Sequence, residues 1–121
     1  MEQKIVNING NAYILHPFKG RKGFQLLGRL TKHAAPVISG MTDSENVDVA
    51  GIIRNLFLEG TDEFVSLIFD LISDVQKDGM QINVDSEFKQ NYMSLLELAL
   101  EVIKLNYNDV FQKLGINFEN P

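Results

Sequence analysis

The chain contains no cysteine. That excludes a disulfide framework, a thiolate nucleophile and Cys-ligated zinc or iron–sulfur chemistry, and it fits a reducing compartment. Histidine is almost as scarce. His16 and His33 are the only two, and neither has an HxxxH spacing or an adjacent carboxylate. Metal ligation and general-base catalysis are therefore unsupported. None of the six serines lies in a G-x-S-x-G elbow or beside a base, so nucleophilic catalysis is unsupported too. We expect no cofactor and no enzymatic activity. No run reaches the roughly 20 uncharged apolar residues of a membrane span. The best candidate is interrupted by Glu97, Glu101 and Lys104, so no membrane partner is expected. Residues 1–10 are polar and carry a turn signal, which argues against a secretory leader.

What is present is ordinary for a globular protein: 121 residues, 45% hydrophobic and 22% charged. A chain of this length buries roughly two-thirds of its unfolded surface without disulfides or metal, and a single domain over 1–121 is expected. The net charge of −5 is unevenly spread. Residues 1–35 hold six basic side chains (Lys4, Lys19, Arg21, Lys22, Arg29, Lys32) against Glu2 alone. Residues 36–121 hold five basic side chains against fifteen acidic ones. Such segregation suits head-to-tail self-association or an electrostatically steered partner, although charges also simply solvate helix faces.

The most distinctive segment lies near the C-terminus. Eight of the eleven residues over 95–105 are Leu, Ile, Val or Ala. The polar positions Gln90, Ser94, Glu97, Glu101, Lys104 and Asn108 recur at alternating steps of four and three, which on a helix makes one narrow stripe. A helix over 88–107 must then be buried on several sides, by its own chain, by copies of itself or by a partner.

Elsewhere, residues 4–8 and 12–16 alternate around Asn9-Gly10-Asn11, which predicts a β-hairpin closed by Pro17. A helix is expected over 21–33 with Phe24, Leu27, Leu30 and Ala34 inward, ended by Pro36. Thr42 and Glu45 form a capping box for a helix over 44–58, with Val49, Ile52, Ile53, Leu56 and Phe57 inward and Gly60 as its stop. Thr61 or Asp62 caps a third helix running to 77, which should pack against the 88–107 helix at the centre. Asp78-Gly79 is a turn, residues 80–84 are extended or irregular, and the long helix starts at 85 or 86. A break near 107–108 separates a last short helix over 109–114, and 116–121 is a tail. The expected fold is α+β and mainly α, with a β-hairpin over 1–17 packed on a bundle of four or five helices over 20–115.

Three constellations invite a chemical reading. Residues 74–85 have the outline of a calcium loop, but Gln76, Gln81 and Asp85 stand where an acidic, an apolar and a bidentate Glu residue belong, so a helix-ending turn explains them better. Gly20-Arg21-Lys22-Gly23 has the form of the loop by which KH domains clamp a nucleic-acid backbone. It joins a hairpin to a helix rather than two helices, and a first helical turn with exposed cations is the plainer reading. Tyr92, Tyr107, Phe111 and Phe118 gather towards the C-terminus with Leu114 and Ile116. They either close the core or anchor a partner.

The layout resembles the tail assembly chaperones of long-tailed bacteriophages and phage-like contractile tail elements. The residues that carry the resemblance are the Tyr-x-Leu-x-Pro strand end (Tyr13, Leu15, Pro17), the glycine-rich lead into the first helix, the Leu/Phe-rich middle helices, and the ending from Asn91 through Glu101, Val102, Ile103, Lys104, Asn106 and Tyr107 to Phe111. The resemblance implies no catalysis. It implies binding to the tape-measure protein, which is kept soluble, and recruitment of tail-tube subunits, in the cytoplasm of the bacterial host and not in the mature virion. Some members are also made as longer, frameshifted products. The partner-binding candidates are Tyr92, Tyr107, Phe111, Leu114 and Phe118, with Arg21 and Lys22 for charge. A small nucleic-acid-binding regulator using the 20–23 segment and a structural tail component are the alternatives.

Overall fold

The computed structural model describes residues 3–39 and 49–113, with side chains over 3–33 and 51–113. The chain opens with strands β1 (Lys4–Ile8) and β2 (Asn11–Leu15), paired antiparallel from Lys4 opposite Leu15 to Ile8 opposite Asn11. Asn9 and Gly10 both hold positive φ, 52° and 81°. A two-residue loop with both residues left-handed matches the twist of the flanking strands, and Asn-Gly is the pair that adopts it most readily. Val6, Ile8, Tyr13 and Leu15 fall on one face by the two-residue period and are buried.

Helix α1 (Gly20–Ser39) follows, then α2 (Val49–Glu59) and α3 (Asp62–Leu71). Gly60 ends α2 with φ 63°, its N–H donating to the Leu56 carbonyl at 3.3 Å. Thr61 caps α3, its Oγ1 accepting from the Phe64 N–H at 3.2 Å, while Asp62 and Glu63 occupy the first turn where the helix dipole favours negative charge. These signals act as expected. Pro36 does not. The α1 backbone stays helical to Ser39, although proline removes one intrahelical bond and crowds the preceding turn. The Thr42–Glu45 capping box, Leu114, Phe118 and the tail lie outside the described residues.

The helix expected to run to 77 ends at Leu71. Two short strands follow, β3 (Gln76–Lys77) and β4 (Met80–Gln81), joined through Asp78 (φ 56°) and Gly79 (φ 78°). This second hairpin repeats the turn geometry of the first and extends the sheet in the order β1-β2-β3-β4, with Ile14 opposite Gln76. Val75 and Ile82 are buried, and the Ile82 N–H donates to the Val75 carbonyl at 3.1 Å. Their apolar spacing suits a helix as well as a pair of strand ends, and the Asp-Gly turn decides between the two.

After α4 (Val84–Glu87), capped by Asn83, Gln90 adopts φ 63° and interrupts the chain. The long helix α5 (Tyr92–Lys113) therefore begins later than expected, and it runs without a break through Tyr107 and Asn108. Asn106 does not disrupt it. Its Nδ2 donates to the Val102 carbonyl at 3.0 Å and its Oδ1 accepts the Phe18 N–H at 2.9 Å, which secures the β2–α1 connection. Leu95, Leu96, Leu98, Ala99, Leu100, Val102, Ile103, Tyr107 and Phe111 are buried. β1, α2 and α3 pack around α5, so its envelope is supplied by its own chain. The fold is mainly α with a small antiparallel sheet, as the sequence predicts.

Candidate partner-binding surface

Large hydrophobic side chains are exposed at Ile5, Phe24, Leu58, Val65, Met80, Tyr92 and Met93, and the one on α1 sits beside cations that make no ion pair among the described residues. Leu26 and Leu30 are buried and Leu27 is half-buried, which turns Phe24 outward at 77% exposure. The inward face expected from Phe24, Leu27, Leu30 and Ala34 is thus rotated by about half a turn-step, because the apolar arc of α1 is wider than the surface available to bury it. Phe18, from the connection before α1, fills the adjacent core position. It packs with Tyr107 at a ring-centroid distance of 6.3 Å, and a Cβ on Gly23 would meet its own Cβ at 3.2 Å. The outward face of α1 therefore carries Gly20, Arg21, Phe24, Gln25, Gly28, Thr31 and Lys32. Gly20, Arg21, Phe24 and Gln25 line an open depression of about 470 Å³.

The segregated charge is partly consumed within the molecule. Lys4 pairs with Glu101 at 3.3 Å, Lys22 with Asp74 at 2.5 Å and Arg29 with Asp70 at 2.7 Å. Each joins the basic N-terminal third to the acidic remainder. Lys22 also lies over the Phe18 ring at 5.3 Å. Lys19, Arg21 and Lys32 are exposed and make no ion pair among the described residues.

A second cluster is inward and structural. The Tyr13 hydroxyl donates to Glu87 Oε2 at 2.8 Å, and Lys77 Nζ donates to the same oxygen at 2.9 Å. Burial alone disfavours the Glu87 carboxylate, but the Lys77 bond and the Tyr13 hydroxyl outweigh it and hold its pKa below the usual value. Burial, followed by the bond to Glu87, pushes the Tyr13 phenol well above its ordinary range. The three side chains tie β2, β3 and α4 together.

The residues nominated from sequence divide sharply. Tyr92 is 63% exposed at the start of α5, beside exposed Met93. Arg21 is exposed, whereas Lys22 is committed to Asp74 and Ser73. Tyr107 and Phe111 are core residues, and the Tyr107 hydroxyl donates to the Gly23 carbonyl at 2.7 Å. Burial raises the Tyr107 pKa to about 12. The Gly20–Gly23 tetrad forms the first turn of α1 rather than a loop, and the calcium-like segment is the β3–β4 hairpin, with Asp74 held by Lys22. His16 Nε2 lies 3.4 Å from Gln76 Oε1, and His33 packs edge-on against Phe64. Among the described residues no group of three or more His, Asp or Glu is placed to hold a metal ion. Among them, too, no helix is long and apolar enough to cross a membrane.

Phe24 and Gly28 were not nominated from the sequence. The available signal was their company, since Arg21, Gln25, Thr31 and Lys32 all lie on that side of the helix.

The described residues thus define a small α+β protein whose prominent features are helix faces and open depressions. The family described as "Phage tail assembly chaperone protein, TAC" matches residues 9–118, and the chain belongs to that family. No curated protein and no solved structure shows a significant match to the chain. A role as a chaperone in phage tail assembly follows from the family.

Proposed function

We propose that the chain binds the tape-measure protein, keeps it soluble and helps recruit tail-tube subunits around it, acting in the host cytoplasm and leaving before the virion is complete. The observation that supports this reading is membership of the tail assembly chaperone family across nearly the whole chain. A holdase works by covering apolar helix faces of its client through contacts that can later be displaced, which calls for an exposed apolar surface with a charged rim rather than a catalytic pocket. In this reading the chain is not an enzyme. Tyr92 and Arg21 meet the partner directly, while Tyr107 and Phe111 hold α5 and the start of α1 in place from within.

The test is co-expression with the tape-measure protein encoded in the same tail gene cluster. The expected result is that the client moves into the soluble fraction and co-purifies with this chain. A client that remains insoluble while this chain purifies alone would sink the proposal. A structural tail component is separated by a second readout, because it persists in finished particles and a chaperone does not.

A further inference from the structure

Along α1, Gly20, Phe24, Gly28 and Lys32 follow one another at steps of four, and all four are exposed. Residues at this spacing form one of the ridges along which helices pack. Here the ridge has an unusual profile. A bulky knob at Phe24 stands between two gaps, since a Cβ added at Gly20 or at Gly28 would meet nothing within 4 Å. Gly28 is unlike Gly23, whose missing side chain makes room for Phe18. No packing among the described residues requires glycine at 28, and glycine inside a helix weakens it relative to alanine. An exposed aromatic beside such a gap is suited to a second helix, whose side chains drop into the gaps while the aromatic enters its groove.

The charge around the ridge specifies the sign of the occupant. Lys4, Lys22 and Arg29 are neutralised by Glu101, Asp74 and Asp70, but Arg21 beside the ridge, Lys32 at its far end and Lys19 before it make no ion pair among the described residues. Symmetric pairing of this face with a second copy would bring those like charges together. A phosphate backbone would face few cations on a chain of net charge −5. An acidic helix satisfies both the shape and the charge.

We infer that the outward face of α1 is the docking surface for the client and that its occupant is an acidic amphipathic helix, seated across Phe24 and Gly28 with its carboxylates towards Arg21 and Lys32. This rests on the tape-measure reading, and its test is separable from that one. Helical peptides from the tape-measure protein, acidic and basic, each long enough to span the about 30 Å of α1, are titrated against the full chain by fluorescence anisotropy. Acidic peptides are expected to bind, more weakly at about 300 mM than at about 50 mM salt as exposed charges are screened. Phe24→Ser and Gly28→Leu should each weaken that binding by about tenfold, the loss expected on disturbing a central interface contact. Gly28→Leu adds a side chain in open space and should keep or raise Tm, so its loss of binding reports docking and not folding. The inference is overturned if both variants bind like the wild type, if basic peptides bind equally well, or if no peptide binds. It is also overturned if single-stranded DNA binds with the same dependence on Phe24 and Lys32, which would assign the face to nucleic acid. Failure of wild-type co-expression instead removes the tape-measure reading, so the two failures are distinguishable.

Discussion

Helices α1 and α5 make opposite use of their apolar residues. α5 is apolar around most of its circumference, and the molecule itself covers it with β1, α2 and α3. α1 has fewer apolar residues, yet it turns one of its largest, Phe24, to solvent between two glycines. Hydrophobic density therefore marks the core here, while an isolated exposed hydrophobe lies on the face proposed for the partner. The apolar richness of 88–107 leaves its own chain, further copies and a partner all open as cover when read from sequence, and the structure accounts for it through internal packing.

The largest effect of substitution is expected at the centre of α5. Leu98 is fully buried. Leu98→Ala should cost about 2–5 kcal/mol through lost burial plus the residual cavity, read as a lower urea midpoint with the slope preserved. A loss well under 1 kcal/mol would mean that α5 is not packed by its own chain as described.

A smaller effect is expected where the two helices meet. Tyr107 on α5 donates to the Gly23 carbonyl on α1, and Tyr107→Phe should cost about 1 kcal/mol, the usual net worth of such a bond. Burial holds the Tyr107 phenol at about 12 against an ordinary 10.0. Because the folded value is the higher one, this contribution is complete below about pH 10 and is lost as pH rises through about 12. Tyr13 shifts in the same direction. The phenylalanine variant should therefore show a shallower alkaline loss of stability than the wild type, with Tyr13 supplying the remainder. Identical alkaline profiles would remove Tyr107 from that account.

The smallest effects belong to the outward face of α1. Gly28→Ala should stabilise the protein by up to about 1 kcal/mol, the helix propensity difference with nothing for the new methyl group to strike. Phe24→Ser should change stability by no more than about 0.5 kcal/mol. A large loss at Phe24 would show that its ring is packed after all and would dissolve the contrast between the two helices. Thermal unfolding of both variants beside Leu98→Ala measures all three on one scale.

Much of the fold was legible because it is enforced locally. Asn9-Gly10 and Asp78-Gly79 demand positive φ at both turn positions, Gly60 stops a helix and Thr61 caps one. These requirements are met within a few residues and need no knowledge of the rest of the chain. The β3–β4 hairpin is not legible in the sequence beyond its turn, because strands of two residues are too short to show a period and Ile72 and Val75 continue the helical spacing of α3. The boundaries of α5 were misplaced for a related reason. Gln90 breaks the chain ahead of α5 without a sequence signal, and the break expected near 107–108 is absent because α5 continues helical to Lys113, with Tyr107 and Phe111 buried.

The candidate surface was less legible. Arg21 and Tyr92 are exposed, whereas Tyr107 and Phe111, which the sequence leaves open between core and partner contact, are buried. The sequence predicts Phe24 in the core, since residues 24, 26, 27 and 30 together define an apolar arc that fits the interior at either edge. The sequence by itself determined the first hairpin, the presence of the main helices, the two turn geometries, the helix signals at residues 60 and 61 and the uneven charge, all of which depend on neighbouring residues. Only the tertiary structure decided which edge of α1 is buried, what covers α5 and which cations are neutralised. Those outcomes depend on residues far apart in the chain, such as Phe18 against Tyr107 and Lys22 against Asp74, competing for the same limited interior.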